Sequence, residues 1–308
     1  MTNSQPPLWR DSRFWRIAGQ FIAVVLAAIV VTILWSNLSR NLQQLGIQFG
    51  FGFLQQQASF DIGETPISYQ PTDTYSRALW VGLINSLRVA VVGIVLTTIV
   101  GVTAGVARLS DNWLVRKITT VYVEVFRNTP LLLQLLFWYF AVFLGFPRAE
   151  NKASLWGIVY FSQNGVELPW FTLSPEFSAL LLGLTFYTGA FIAEIVRGGI
   201  QSVPRGQWEA ARSLGLKPGL VMRLVILPQA LRVIIPPLTS QYLNLTKNSS
   251  LAIAIGYPDV YFVASTTFNQ TGRAVEVMLL IMLTYLILSL TISVVMNLFN
   301  RAVQIQER

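Results

Sequence analysis

Two carboxylates, Glu124 and Glu194, stand within the long apolar stretches of this 308-residue chain, and neither has a second acid at i+3 or i+4. The paired carboxylates that divide acid and base work are therefore missing. The chain contains no cysteine and no histidine, which removes disulfides, thiolate and imidazole metal sites, cysteine nucleophiles and Ser/His/Asp triads. Lys117, Lys152, Lys217 and Lys247 all lie outside any Gly-x-x-x-x-Gly-Lys-Ser/Thr sequence, so no loop of that kind cradles a nucleotide phosphate. What remains is binding and passage. An ionisable or strongly polar group in hydrocarbon is costly unless it meets a cavity or a partner, which singles out Glu194, Arg127, Asn244, Lys247 and Asn248. Two alternatives involve pairing alone: Glu194 with Arg197, and Glu124 with Arg127, each at the i, i+3 spacing of one helix face. Pro130, Pro236 and Pro237 free backbone carbonyls at depth, which calls for neighbouring protein or a water-lined path.

The elements that must position these groups are membrane-spanning helices. Hydrophobic residues make up 53% of the chain and charged ones 12%, and the mean hydropathy is +0.55, whereas a soluble domain is about one-quarter charged. Apolar runs predict six spans, Ile17 to Trp35, Val81 to Ala107, Thr119 to Phe146, Phe177 to Val196, Leu224 to Leu245 and Val277 to Phe299. Each is near the ~20 residues a spanning helix needs, and prolines break the third and fifth. The fold class is thus an all-α integral membrane bundle. The first run follows Arg10, Arg13 and Arg16 but lacks a small-x-small cleavage site, so it is read as a retained span. Gly101 and Gly105 form a close-packing face.

Loop charge orients the bundle. Arg10, Arg13, Arg16, Arg108, Arg116, Lys117, Arg197, Arg205, Arg212, Lys217, Arg223, Arg301 and Arg308 outweigh the acids of one side to give +9, and the opposite loops sum to −2. Short cytoplasmic loops carry the Lys and Arg excess, so both termini are placed in the cytoplasm. The net charge of +8 is then a topology signal and not a nucleic-acid footprint.

The most specific pattern lies in a basic loop. Glu209-Ala210-Ala211 is followed by Gly215, and then by Leu227-Pro228. Ala210, Ala211 and Leu214 are expected on one helical face able to enter a partner's groove, with Gly215 permitting the left-handed turn that ends the helix. This spacing resembles the coupling motif of permease subunits of ATP-binding-cassette (ABC) importers, with Val225 where that family usually has Ile. Arg127-Asn128-Thr129-Pro130-Leu131-Leu132, Ala193-Glu194-Ile195-Val196-Arg197-Gly198-Gly199 and Val203-Pro204-Arg205-Gly206-Gln207 narrow the resemblance to the polar amino-acid permeases. So do Asn248-Ser249-Ser250-Leu251-Ala252, Gly256-Tyr257-Pro258-Asp259 and Asn269-Gln270-Thr271-Gly272. Asn128 stands where relatives often have Gly. The extra first span and Gly50-Phe51-Gly52-Phe53-Leu54 resemble the branch that handles a broad range of L-amino acids.

The resemblance implies a cytoplasmic N-terminal segment over 1–16, an extra transmembrane helix over 17–35, an extracytoplasmic loop over 36–80 and a permease domain over 81–308. It adds Asn128, Thr129 and Ser249 to the path candidates and assigns ATPase coupling to Glu209, Ala210, Ala211, Leu214 and Gly215. It also implies a multi-pass protein of the bacterial inner membrane that is not itself an enzyme and carries no cofactor or metal. The implied partners are cytoplasmic ATP-binding subunits holding ATP and Mg, a second, homologous permease in a heterodimer, a periplasmic amino-acid-binding protein and the lipid bilayer, with no nucleic acid. An ion-driven secondary transporter or channel would explain the bundle but not the coupling loop, and an intramembrane enzyme lacks its second carboxylate. Because the chain has no native cysteine, single cysteines at Ser59, Ser110, Ser154 and Ser213 report topology directly. An impermeant thiol reagent applied to intact cells is expected to reach positions 59 and 154 only, and labelling at 110 or 213 refutes the orientation.

Overall fold

The computed structural model describes residues 12–44, 46 and 49–303 and separates into two compact units, Met1–Phe51 and Gly52–Arg308. Arg10, Asp11, Glu307 and Arg308 of the charge pattern lie outside the described residues, as does most of the segment expected over 1–16. Among the described residues the first unit has one helix, α1 (Ser12–Gln44), whose apolar stretch buries no residue. A helix that is apolar all round is suited to lipid.

The second unit begins inside the connection expected over 36–80. A short 3₁₀ turn (Gly52–Gln55) and a looped segment lead to α2 (Tyr75–Ala107), capped by Thr74, whose hydroxyl accepts from the Arg77 amide at 3.3 Å. Then come α3 (Trp113–Asn128) and α4 (Leu131–Leu136), which runs on as a π-helical turn (Phe137–Phe143). After the connection over residues 144–174 follow α5 (Pro175–Gln201), α6 (Arg205–Ser213) and α7 (Pro218–Val221). The chain ends in α8 (Leu227–Asn248), a 3₁₀ turn (Ser249–Ile255), α9 (Val260–Thr271) and α10 (Ala274–Val303). Among the described residues five helical runs are long and apolar enough to cross a bilayer, and a bent pair makes a sixth crossing if counted as one span.

That pair is the third span with the break expected at Pro130, and the break is sharp: α3 and the α4 run are bent by 108°. Pro130 has no N–H to offer the Phe126 carbonyl one turn back, and Gln134 fills the gap. Its Nε2 donates to the carbonyls of Phe126 and Thr129, each at 2.9 Å. The fifth run is longer than expected, covering Pro218–Ile255, with Pro236 and Pro237 inside the continuous α8.

The connection between α4 and α5 holds a feature absent from the sequence reading, a four-stranded antiparallel meander of β1 (Ala153–Leu155), β2 (Val159–Ser162), β3 (Gly165–Leu168) and β4 (Phe171–Leu173). Gly157 and Gly165 turn the first two hairpins with positive φ. Lys152 and Glu167 are ion-paired across the sheet. The helical bundle class stands, with this small sheet added between two of its helices.

The centre of the bundle is the α2–α5 contact. A Cβ on Gly101 would lie 2.6 Å from Ile192 Cβ, and one on Gly105 would lie 2.7 Å from the Ala193 carbonyl oxygen. Only glycine allows so close an approach, and in lipid such closeness replaces the hydrophobic effect as the source of helix attraction. Replacing Gln134 by Leu leaves two half-buried carbonyls without this donor, at a cost of about 1 kcal/mol. The detergent-purified Gln134→Leu protein is therefore expected to unfold at a lower temperature than wild type, and an unchanged midpoint contradicts this account of the bend.

Candidate functional site

The sequence from Glu209 to Ser213 is helical, as its pattern predicts. Pro204 and Arg205 open α6, and its end is closed by two bonds, Leu216 N to the Ala211 carbonyl at 3.4 Å and Gly215 N to the Arg212 carbonyl at 2.9 Å. With Gly215 at φ +73° this is the Schellman arrangement, whose left-handed residue favours glycine. One expectation is corrected. Ala211 is 3% exposed and packs inward with Val221 and Ile226, with Trp208 and Leu216 beside it. The period of 3.6 residues that turns Trp208 and Ala211 inward turns Ala210 and Leu214 outward, and Leu214 is 80% exposed. The free face is therefore Ala210 and Leu214 with exposed Glu209 at its edge, without Ala211.

Glu194 lies in the C-terminal half of α5, beside the end of α2. Both its carboxylate oxygens are engaged: Oε2 accepts from Arg108 Nη1 and, at 3.2 Å, from Arg197 Nε, and Oε1 accepts from Arg197 Nη2. The Arg197 pairing weighed as an alternative is present and is extended to a second arginine from α2. Arg127 does not pair with Glu124 among the described residues; its guanidinium lies 5.1 Å from the centroid of the Phe191 ring. Asn128 is exposed at the end of α3, and Thr129 at the bend donates to the Val125 carbonyl at 2.8 Å. A cavity of about 290 Å³ opens there, lined by Phe126, Thr129, Gln134 and Trp138 among others.

On α8, Pro236, Pro237, Ser240, Asn244 and Lys247 are exposed along one side. Asn248 is half-buried, whereas Ser249 is buried and donates to the Thr246 carbonyl at 2.8 Å. No hydrogen bond joins the α3 group, the α8 group and Glu194 to one another among the described residues. The arrangement is a set of polar faces rather than one converged site.

Sequence reasoning passed over a second polar cluster, where the body of α2 meets the start of α5. Glu64, from the looped segment before α2, accepts from Arg88 and from Ser174, the N-cap of α5. Asn85, which is fully buried, donates to the carbonyls of Glu64 at 2.8 Å and Pro258 at 3.0 Å. Nearby Asp259 caps α9 by accepting from Phe262 N at 2.8 Å and also accepts from the Tyr285 hydroxyl at 3.2 Å. Burial pushes its carboxyl up to about 7 against the pull of those donors. The available signal was three polar residues, Asn85, Ser86 and Arg88, inside one apolar run.

A polytopic helical bundle carrying a capped amphipathic helix in a basic loop is the architecture of a membrane transport subunit. Residues 93–305 match the family described as binding-protein-dependent transport system inner membrane component, and the chain belongs to that family. It is 42% identical to the YhdX permease protein of Escherichia coli (strain K12) over 94% of each chain. It is 39% identical to the general L-amino acid transport system permease protein AapQ of Rhizobium johnstonii, over 97% of this chain and 94% of that protein. A solved amino acid ABC transporter crystallised with histidines shares the fold with a TM-score of 0.60 and 30% identity, covering 74% of this chain and 95% of the other. The two sides of α6 are separable by experiment. Ala211→Asp is expected to lower the amount of folded protein in the membrane severalfold, and Ala210→Asp to leave it unchanged, as read by detergent-extracted monodisperse protein. Equal yields would contradict the inward placement of Ala211.

Proposed function

We propose that this chain is the membrane-spanning permease subunit of an ABC importer that moves amino acids from a periplasmic binding protein into the cytoplasm. The observation that carries the reading is α6. It offers a small apolar face, Ala210 and Leu214, closed by a glycine cap, in the loop richest in Lys and Arg, within a chain whose full-length relatives are named as amino-acid permeases. A face of this size suits the groove of a cytoplasmic ATP-binding subunit, which would hold ATP and Mg and perform the hydrolysis. The exposed face of α8, with Asn244 and Lys247, and the bend at Arg127, Asn128 and Thr129 supply the polar surface of a path, completed by a second, homologous permease. Asn248 and Ser249 close the α8 end of that path. Glu194, 29% exposed in its side chain, joins α2 to α5 at the cytoplasmic end, so its charge serves the path as part of a trio with Arg108 and Arg197.

The test is reconstitution with the ATP-binding subunits, second permease and binding protein that co-purify with the chain. Amino-acid uptake and substrate-stimulated ATP hydrolysis are expected. Gly215→Pro, which cannot adopt φ near +73°, and Glu209→Lys are each expected to cut that hydrolysis about tenfold, equivalent to about 1.4 kcal/mol at the contact, with the bundle still inserted. Wild-type rates in the double variant refute the coupling assignment.

A further inference from the structure

Arg88 lies about 20 Å into α2 from its first residue, at the rise of an α-helix. An ionisable group in the body of a long apolar helix needs a partner, and the partner is the clue to its role. Here the partner does not come from a neighbouring helix. Arg88 Nη1 donates to Glu64 Oε1 at 2.7 Å, and Ser174 Oγ donates to Glu64 Oε2 at 2.7 Å. The Arg88 guanidinium is oriented by the Phe177 ring, 5.0 Å away at its centroid. One carboxylate is thus held by a guanidinium on one oxygen and a hydroxyl on the other, the charge-assisted arrangement that would hold any carboxylate.

The carboxylate in place is delivered by a looped segment whose backbone is held by Asn85, so the Glu64 side chain is the part free to rotate away. Asp61, Gly63, Thr65 and Pro66 around it are exposed, and Ile62 is the nearby buried anchor. The site is also within reach of solvent, since the side chains of Arg88 and Glu64 are 33% and 18% exposed. We infer that Glu64 is a built-in occupant of a carboxylate site, and that Arg88 and Ser174 receive the α-carboxylate of the transported amino acid when Glu64 withdraws. This rests on the reading of the chain as an amino-acid permease. It gives the looped segment before α2 a role as internal competitor, which lowers apparent affinity in proportion to the fraction of time the site is occupied.

The experiment uses the assembled transporter in nanodiscs without binding protein, probed with a radiolabelled mixture of L-amino acids below saturation. The Glu64→Gln complex is expected to retain roughly three- to tenfold more label than wild type, as removal of a competitor requires, and Glu64→Asp an intermediate amount. Unlabelled amino acids should displace the label and their α-amides, which lack the carboxylate, should not. Adding Arg88→Lys to Glu64→Gln should abolish the gain. A merely structural Glu64 gives no gain, so either variant inserted at wild-type abundance without increased retention overturns the inference, as does loss of both variants from the membrane. Import by the wild-type complex with binding protein and ATP is measured alongside. If import occurs without a gain in the variants, the carboxylate site falls and the permease reading stands; if wild type imports nothing from the mixture, both fall.

Discussion

Lipid gives α2 and α5 no reward for burying apolar surface against each other, so their contact depends on closeness and on polar bonds. Gly101 and Gly105 provide the closeness, with the α5 backbone and Ile192 occupying the space a side chain would need. The polar bonds sit at the two ends of this seam. At one end Glu194 of α5 takes Arg108 of α2, and at the other Glu64 takes Arg88 of α2 and Ser174 at the start of α5. Both fastenings join the same pair of helices, so a change at either end is felt along a stiff, closely packed unit. The rest of the second unit is arranged around it: α8 and α3 pack on α5, and α9 packs on α2.

Backbone accounting explains the irregular parts. A proline in a span leaves a carbonyl without its donor, and in hydrocarbon that carbonyl must find another. At Pro130 the side chain of Gln134 is the replacement, and the helix can turn sharply because both freed carbonyls are then satisfied. Pro236 and Pro237 instead stand on the exposed side of α8, where a polar path or a partner subunit would meet the freed groups. The two solutions separate a bend made by the chain for itself from a weakness left on a surface.

The sequence showed what depends on local pattern. Apolar runs of spanning length, the Gly101 and Gly105 face, the helix over Glu209 to Ser213 and the glycine that closes it were all legible, because each follows from hydropathy or from one residue's allowed dihedrals. Contacts between distant segments were not. Nothing in the spacing of Glu194 and Arg197 points to Arg108, which is 86 residues away, and the bond from Arg88 to Glu64 depends on how a loop folds back. Ala211 illustrates a smaller limit. The helix was correctly expected, but which side turns to the protein was set by Trp208 and Leu216 packing on the chain's own core. The sheet went unseen because strands of three or four residues give too short an alternation to stand out beside long spans.

The trio of Arg108, Glu194 and Arg197 carries two positive charges and one negative. Its surplus charge is fixed to the rigid α2–α5 seam and not to a flexible loop. In an energised cell with a negative interior, carrying one such charge fully across the bilayer costs about 2.3 kcal/mol for every 100 mV. Any motion that moved the trio through the field would therefore make transport voltage-sensitive, in proportion to the share of the potential it crossed.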